Sequence, residues 1–228
     1  MASAQDQPVD TSVRESAIRN AEAYYHQVIA SQSRLYNGSE YVPYAFKLDD
    51  GSHYFLSDTL EVGSVVYDGL RFDNVAMMYD QVKDQLVVQE AGNFFKIYLV
   101  NEKVSEFSLL GHTFVRIVPD SLNARVISTG FFDRRYQGKS GVYVKTSKMI
   151  QEATTNEGIK RTINSVIRYY VLMAGKFHPV KKEKSVLALL GDKKKEVRQY
   201  LRKNKIKYKK DRATAIASTI AYYDQLIK

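Results

Sequence analysis

From Tyr41 to about Val180 the apolar residues of this chain recur at every second position, in short runs separated by turn-forming residues. A period of two places alternate side chains on opposite faces, which marks half-buried strand and argues against amphipathic helix over the same stretch. The runs include Ser64-Val65-Val66-Tyr67, Gln85-Leu86-Val87-Val88, Phe94 to Leu99, His112 to Ile117, Val142 to Lys145 and Val166 to Val171. Between them stand Asp50-Gly51, Asp68-Gly69, Ala91-Gly92-Asn93, Gly111, Gly138 to Gly141 and Ala174-Gly175-Lys176. Parallel neighbours need a crossover of a dozen residues, so gaps this short make an antiparallel meander. Roughly ten strands are expected, enough to curl into a half-barrel or split into a sandwich. Residues 149–165 are ambiguous, because Met149-Ile150-Gln151-Glu152-Ala153 could instead open a helix.

Helical patterns flank the meander. Residues 1–10 are polar and carry Pro8, which reads as disorder, and Ser12-Val13-Arg14-Glu15 then matches a capping box. Ala17, Ala21, Tyr24, Val28 and Leu35 follow near helical spacing, so residues 13–34 are expected to form one helix, packed on the sheet and stopped by Asn37-Gly38. At the other end Asp192 is the expected N-cap of a helix from Lys193 to Lys203. Asp211 is the expected cap of a second, with Ala213, Ile216, Ile220, Tyr223 and Ile227 on one side. The division that follows is a leader remnant over 1–10, a helix plus β domain over 11–180 and a basic helical hairpin over 181–228.

Composition agrees with a mainly β (α+β) chain, since 17 Tyr and 10 Phe are present and Trp is absent. With no cysteine, disulfides and thiolate metal sites are excluded. No apolar run approaches the ~20 residues that span a bilayer as a helix. The charge is localised. Residues 176–212 carry 15 Lys/Arg against 4 Asp/Glu, whereas residues 1–175 carry 18 against 20. A field concentrated in that way acts on acidic partners such as nucleic acid, anionic lipid or acidic glycan.

Catalytic signatures are missing or fail on inspection. Gln137-Gly138-Lys139-Ser140 looks like the end of a phosphate-binding loop, but the glycine required five residues earlier is Asp133, and a strand pattern follows where a helix is needed. It reads as a hairpin turn. His26, His53, His112 and His178 lack the spacing of a zinc site. The carboxylates Asp49, Asp50, Asp58, Asp68, Asp73, Asp80 and Asp84 are numerous enough for a hydrolase pair, yet most fall at turn positions where Asp bonds its own backbone. No metal, nucleotide or other cofactor is expected.

Two groups remain as candidate contacts. Tyr36, Tyr41, Tyr44 and Tyr54, among other tyrosines of the first half, could stack on a sugar or grip a peptide, although core packing with the phenol tip at the edge is the commoner use. Lys193, Lys194, Lys195, Arg198, Arg202, Lys203, Lys205, Lys207, Lys209 and Lys210 supply an electrostatic surface. Only Tyr200 and Tyr208 interleave with them, which is sparse for nucleic-acid binding.

Leu35-Tyr36-Asn37-Gly38-Ser39-Glu40-Tyr41, then Gly63 to Gly69, Asn74-Val75, Tyr79-Asp80, Asp192 to Glu196 and Tyr222-Tyr223-Asp224 occur in an order that resembles a group of exported proteins of Bacteroidota without established activity. The resemblance spans most of residues 20–226. It implies a cleaved leader, in keeping with Ala2-Ser3-Ala4 before Gln5, and a periplasmic or outer-membrane-associated location, where nucleic acid is not the expected partner. It carries over no catalytic residue. Taken together, the expectation is a non-enzymatic cell-envelope binding protein, docked to an outer-membrane protein complex or to an anionic lipid or glycan surface. The alternatives are a nucleic-acid-binding protein using residues 176–212 and a carboxylate-dependent hydrolase.

Overall fold

The computed structural model describes residues 14–20, 22, 34–89 and 94–227. Residues 14–20 and 22 are helical (α1) and exposed, with Glu15 and Arg19 paired across one turn. Ser12, the capping residue of the capping box, and the proposed packing positions Ala21, Tyr24 and Val28 lie outside the described residues, as does Ala91-Gly92-Asn93.

Eleven strands then form one antiparallel sheet: β1 (Ser39–Glu40), β2 (Glu61–Tyr67), β3 (Leu70–Asp80), β4 (Gln85–Gln89), β5 (Lys96–Tyr98), β6 (Val104–Leu109), β7 (His112–Ile117), β8 (Gly130–Gln137), β9 (Gly141–Thr155), β10 (Gly158–Met173) and β11 (Lys176–Val180). Their order is β1-β5-β4-β3-β2-β6-β7-β8-β9-β10-β11, so the sheet is open, with β1 and β11 at its edges. It does not divide into the two sheets of a sandwich. Three hairpin turns have two successive residues at positive φ, namely Asp68-Gly69, Leu110-Gly111 and Ala174-Gly175. That is the backbone whose twist matches the flanking strands. The ambiguous residues 149–165 are strand, because nearly every one of them pairs across β9 and β10.

The sheet is curled. The β2–β3 register shifts between Gly63 and Val65, opposite Asn74 at φ +57, and a bulge of this kind bends a strand pair. As a result the β3–β4 turn reaches β8 and β9, five and six strands away in the sheet order, where Lys145 Nζ lies 2.6 Å from Asp84 Oδ2. The concave face buries Val65, Tyr67, Met77, Tyr79, Leu86, Phe107, Phe114 and Phe131. Phe107 and Phe114 face each other across β6 and β7 and stack at 4.8 Å, and Tyr79 and Phe131 meet Phe107 edge-on.

The C-terminal part holds three helices: α2 (Glu183–Leu189), α3 (Lys194–Lys203) and α4 (Arg212–Leu226). Asp211 caps α4 as expected, accepting from Thr214 N–H at 3.0 Å. Asp192 does not cap α3. Gly191–Lys193 is a 3-10 turn that links α2 to α3, and α3 starts at Lys194 without a side-chain cap. Helix α2 has no counterpart in the sequence reading. Its start is held by the Ser185 hydroxyl, which accepts from the Lys181 and Lys182 amides. All three helices share a core with the sheet, in which Val142, Val171 and Val180 meet Val186, Leu187, Val197, Leu201, Ile216 and Ile220.

Beyond the body of the sheet, β9 and β10 continue as a two-stranded arm, bonded to the rest through Asp49, Asp50 and Gln81. β8 pairs with β9 only as far as Val144, and β11 with β10 only from Tyr169 onward. At ~3.3 Å per residue this part reaches about 36 Å. A connection without named helix or strand, residues 41–60, crosses from β1 over the outer face of β3–β5 to this arm. It is longer than the ~12–15 residues beyond which unstructured connections are uncommon and usually functional.

Candidate functional site

The basic residues singled out by the sequence occupy α3 and the segment joining it to α4. Val197 and Leu201 turn inward and are buried, which leaves the opposite side of α3 to Lys195, Arg198, Arg202 and Lys203. Lys205, Lys207, Lys209 and Lys210 are exposed on the connector. Lys193 pairs with Glu196 at 3.5 Å, and Lys194 is half-buried. Among the described residues, none of Lys195, Arg198, Arg202, Lys203, Lys205, Lys207, Lys209 and Lys210 takes part in an ion pair. The result is a one-sided cationic surface on a helix whose other side is fixed in the core.

The aromatic residues nearby are already engaged. Tyr200 stacks on Tyr222 of α4 at 4.0 Å and 6°. The Tyr208 hydroxyl is 2.7 Å from Thr219 Oγ1, and burial pushes its pKa up to about 12. Both residues are half-buried and engaged in contacts within the chain.

Three of the four tyrosine candidates meet in a second place, within the 41–60 connection where it covers the end of β3. The Tyr41 and Tyr54 hydroxyls are hydrogen-bonded to each other. Tyr44 donates to Asp80 Oδ2 at 2.9 Å and stacks on His53 at 3.7 Å. Lys83 Nζ donates to the Tyr98 hydroxyl at 2.6 Å and lies within 5 Å of both the Tyr44 and Tyr98 rings. Asp80 is fully buried, and its other oxygen takes the Val82 and Lys83 amides. Burial raises the pKa of Tyr41, Tyr44 and Tyr54, with Asp80 adding to the rise. Tyr36 belongs elsewhere, against the concave core. The sequence missed His53, Lys83, Asp80 and Lys148 as members of this cluster. His53, Lys148 and the Asp80–Lys83 turn are far apart along the chain, and only the turn position of Asp80 was legible.

Five of the seven carboxylates considered for hydrolysis, Asp49, Asp68, Asp73, Asp80 and Asp84, serve internal bonds. Asp84 accepts from Tyr79 and Lys145, and its backbone carbonyl takes Asn101. Asp49 takes the Arg161 amide, Asp73 pairs with Arg71 and Asp68 with Lys103. Asp133 lies 2.8 Å from His112 Nδ1 and 3.3 Å from Arg135, with its Oδ1 buried and unpartnered. Among the described residues no group of three or more His, Asp or Glu is placed to hold a metal ion.

The 137–140 segment is the β8–β9 turn, and it does bind a carboxylate, that of the chain itself. Asp224 of α4 accepts from Ser140 N–H at 2.8 Å, from Ser140 Oγ at 2.7 Å and from the Tyr136 hydroxyl at 3.1 Å. A side chain at Gly138 would collide with both Asp224 and Tyr136. Among the described residues no helix is long and apolar enough to cross a membrane. No protein-family model, curated protein or solved structure matches this chain.

Proposed function

We propose that this protein is a non-enzymatic binding protein of the cell envelope, docking through the basic side of α3 and the α3–α4 connector onto an anionic surface of an outer-membrane protein complex or of lipid. The observation that carries this reading is the run of eight exposed cations from Lys195 to Lys210 without an ion-pair partner among the described residues. Like charges gathered on one side repel one another, and an acidic surface relieves that repulsion while releasing counterions. The exported location rests on the resemblance to Bacteroidota exported proteins. Engagement of Tyr200 and Tyr208 in internal contacts weighs against nucleic acid, whose single strands are gripped by exposed stacking aromatics. Engagement of Asp49, Asp73, Asp80 and Asp84 likewise weighs against a hydrolase.

The test is co-sedimentation with vesicles containing phosphatidylglycerol, beside vesicles of phosphatidylcholine alone, and with native outer-membrane fractions. Binding should fall steeply with salt, because the Debye length shrinks from ~10 Å at 0.1 M to ~3 Å at 1 M. Lys195→Glu, Arg198→Glu and Arg202→Glu together should abolish it without lowering the melting temperature. Unchanged low-salt binding by that variant would reduce the patch to a solubilising surface. Loss of sequence-dependent nucleic-acid binding in the same variant would favour the alternative.

A further inference from the structure

We propose that residues 44–55 form an acid-released strap, in which protonation of His53 frees the segment from the β9–β10 arm and bares the outer edge of β10. The strap is attached at both ends of the His53 side chain's surroundings. On the arm, Asp49 N–H donates to Arg161 O at 2.8 Å, Ile163 N–H donates to Asp50 O at 3.1 Å, and the Asp49 carboxylate accepts from Arg161 N–H at 2.6 Å. The Arg161 guanidinium covers the Phe46 ring at 4.7 Å. On the body, Phe55 N–H donates to Tyr79 O and Gln81 N–H donates to His53 O. Lys148 Nζ, from the base of the arm, donates to the carbonyls of Ser52 and Tyr54, the two neighbours of His53.

His53 is 8% exposed, and its Nε2 is buried without a hydrogen-bond partner. The ring is held by Tyr44 at 3.7 Å, with Tyr54 at 5.8 Å and Phe46 at 6.1 Å. The charged groups acting on it are Asp80 at the end of β3, Lys83 on the β3–β4 turn and Lys148 on β9. Asp80 has already accepted from Tyr44 and from two amides, so it has little capacity left for an imidazolium. A proton added to His53 therefore creates a buried charge in the field of Asp80, Lys148 and Lys83, with a donor on Nε2 that has no acceptor.

The sign follows from burial, which lowers the pKa of His53 in the closed strap; Asp80 opposes it, and Lys148 and then Lys83 add smaller lowering contributions. Once the strap opens, the imidazole returns to its ordinary value near 6.5. The closed form is thus the poorer proton acceptor. Closure is fully favoured above about pH 6.5 and is lost as pH falls below it, by at most about tenfold per pH unit for a single proton. Opening exposes the peptide groups of 161–163, an edge onto which another strand could be added.

Hydrogen exchange of the whole chain at pH 7.5 and pH 5.5, corrected for intrinsic rates, tests this. Residues 49–55 and 161–163 should lose protection several-fold at the lower pH, while residues 216–220 in α4 keep theirs. His53→Phe retains an aromatic partner for Tyr44 and removes the proton site, so its strap should be equally protected at both values. An unchanged wild-type strap overturns the proposal. So does an acid loss that persists in His53→Phe, which would assign the effect to Asp49 or Asp80. Should His53→Phe not fold, the His53 ring resonances of the wild type can be titrated instead. Their midpoint must coincide with that of strap exchange, and a mismatch sinks the idea.

Discussion

Asp224 shows how much a single buried carboxylate does in this molecule. It is 6% exposed and gathers three donors from the β8–β9 hairpin, so it fixes the last turn of α4 to the sheet. Replacing it leaves the Ser140 amide and hydroxyl buried without an acceptor, and such groups cost about 1–3 kcal/mol each. Asp224→Ala is expected to lose about 2–4 kcal/mol in denaturant unfolding. Asp224→Asn keeps one acceptor and should lose less. An Ala variant as stable as wild type would show that water replaces the carboxylate. The pairing of Asp224 with Ser140 was invisible in the sequence, where the two residues are far apart and Gln137-Gly138-Lys139-Ser140 suggested only a turn.

At the scale of elements, the bend between β2 and β3 positions both the concave core and the tyrosine cluster. Asn74 sits at φ +57, where a short polar side chain is tolerated and a β-branched one is not. Gly63, paired with the neighbouring Val75, runs so close to the Ser108 carbonyl that a side chain would collide with it. Asn74→Gly should therefore be neutral within about 0.5 kcal/mol, whereas Asn74→Val should cost about 1–3 kcal/mol. Equal stabilities by thermal or urea unfolding would mean that the bulge relaxes. Strand and helix existence was legible at this scale. Val65 and Tyr67, Met77 and Tyr79, and Leu86 and Val88 alternate as written and all face the core. Helix α2 was not legible, because its seven residues, about two turns after β11, carry too few periods to announce themselves. The start of α3 was misplaced because α2 runs into it through a 3-10 turn, which makes Asp192 part of a connection between helices.

For the whole molecule, the helices and the sheet share one core across Val142, Val171, Val197, Leu201 and Ile216, so they should unfold together. Leu201→Ala is expected to cost about 2–5 kcal/mol. Near-ultraviolet and far-ultraviolet signals should move in one coincident transition, in the variant as in the wild type. Two separated transitions would make the C-terminal helices an independent unit. The amino-acid sequence by itself determined the antiparallel β class, the turns at Asp68-Gly69 and Ala174-Gly175, the cap at Asp211 and the cationic side of α3. Each of these depends on residues close together along the chain, through alternation, local backbone preference or helical spacing. Only the tertiary structure decided the strand order that places β6 beside β2, the curl that brings Asp84 to Lys145, the seat of Asp224 and the meeting of His53, Tyr44, Asp80, Lys83 and Lys148. Those depend on packing between residues tens of positions apart, where the gain comes from burial and pairing in three dimensions and leaves no periodic trace in one.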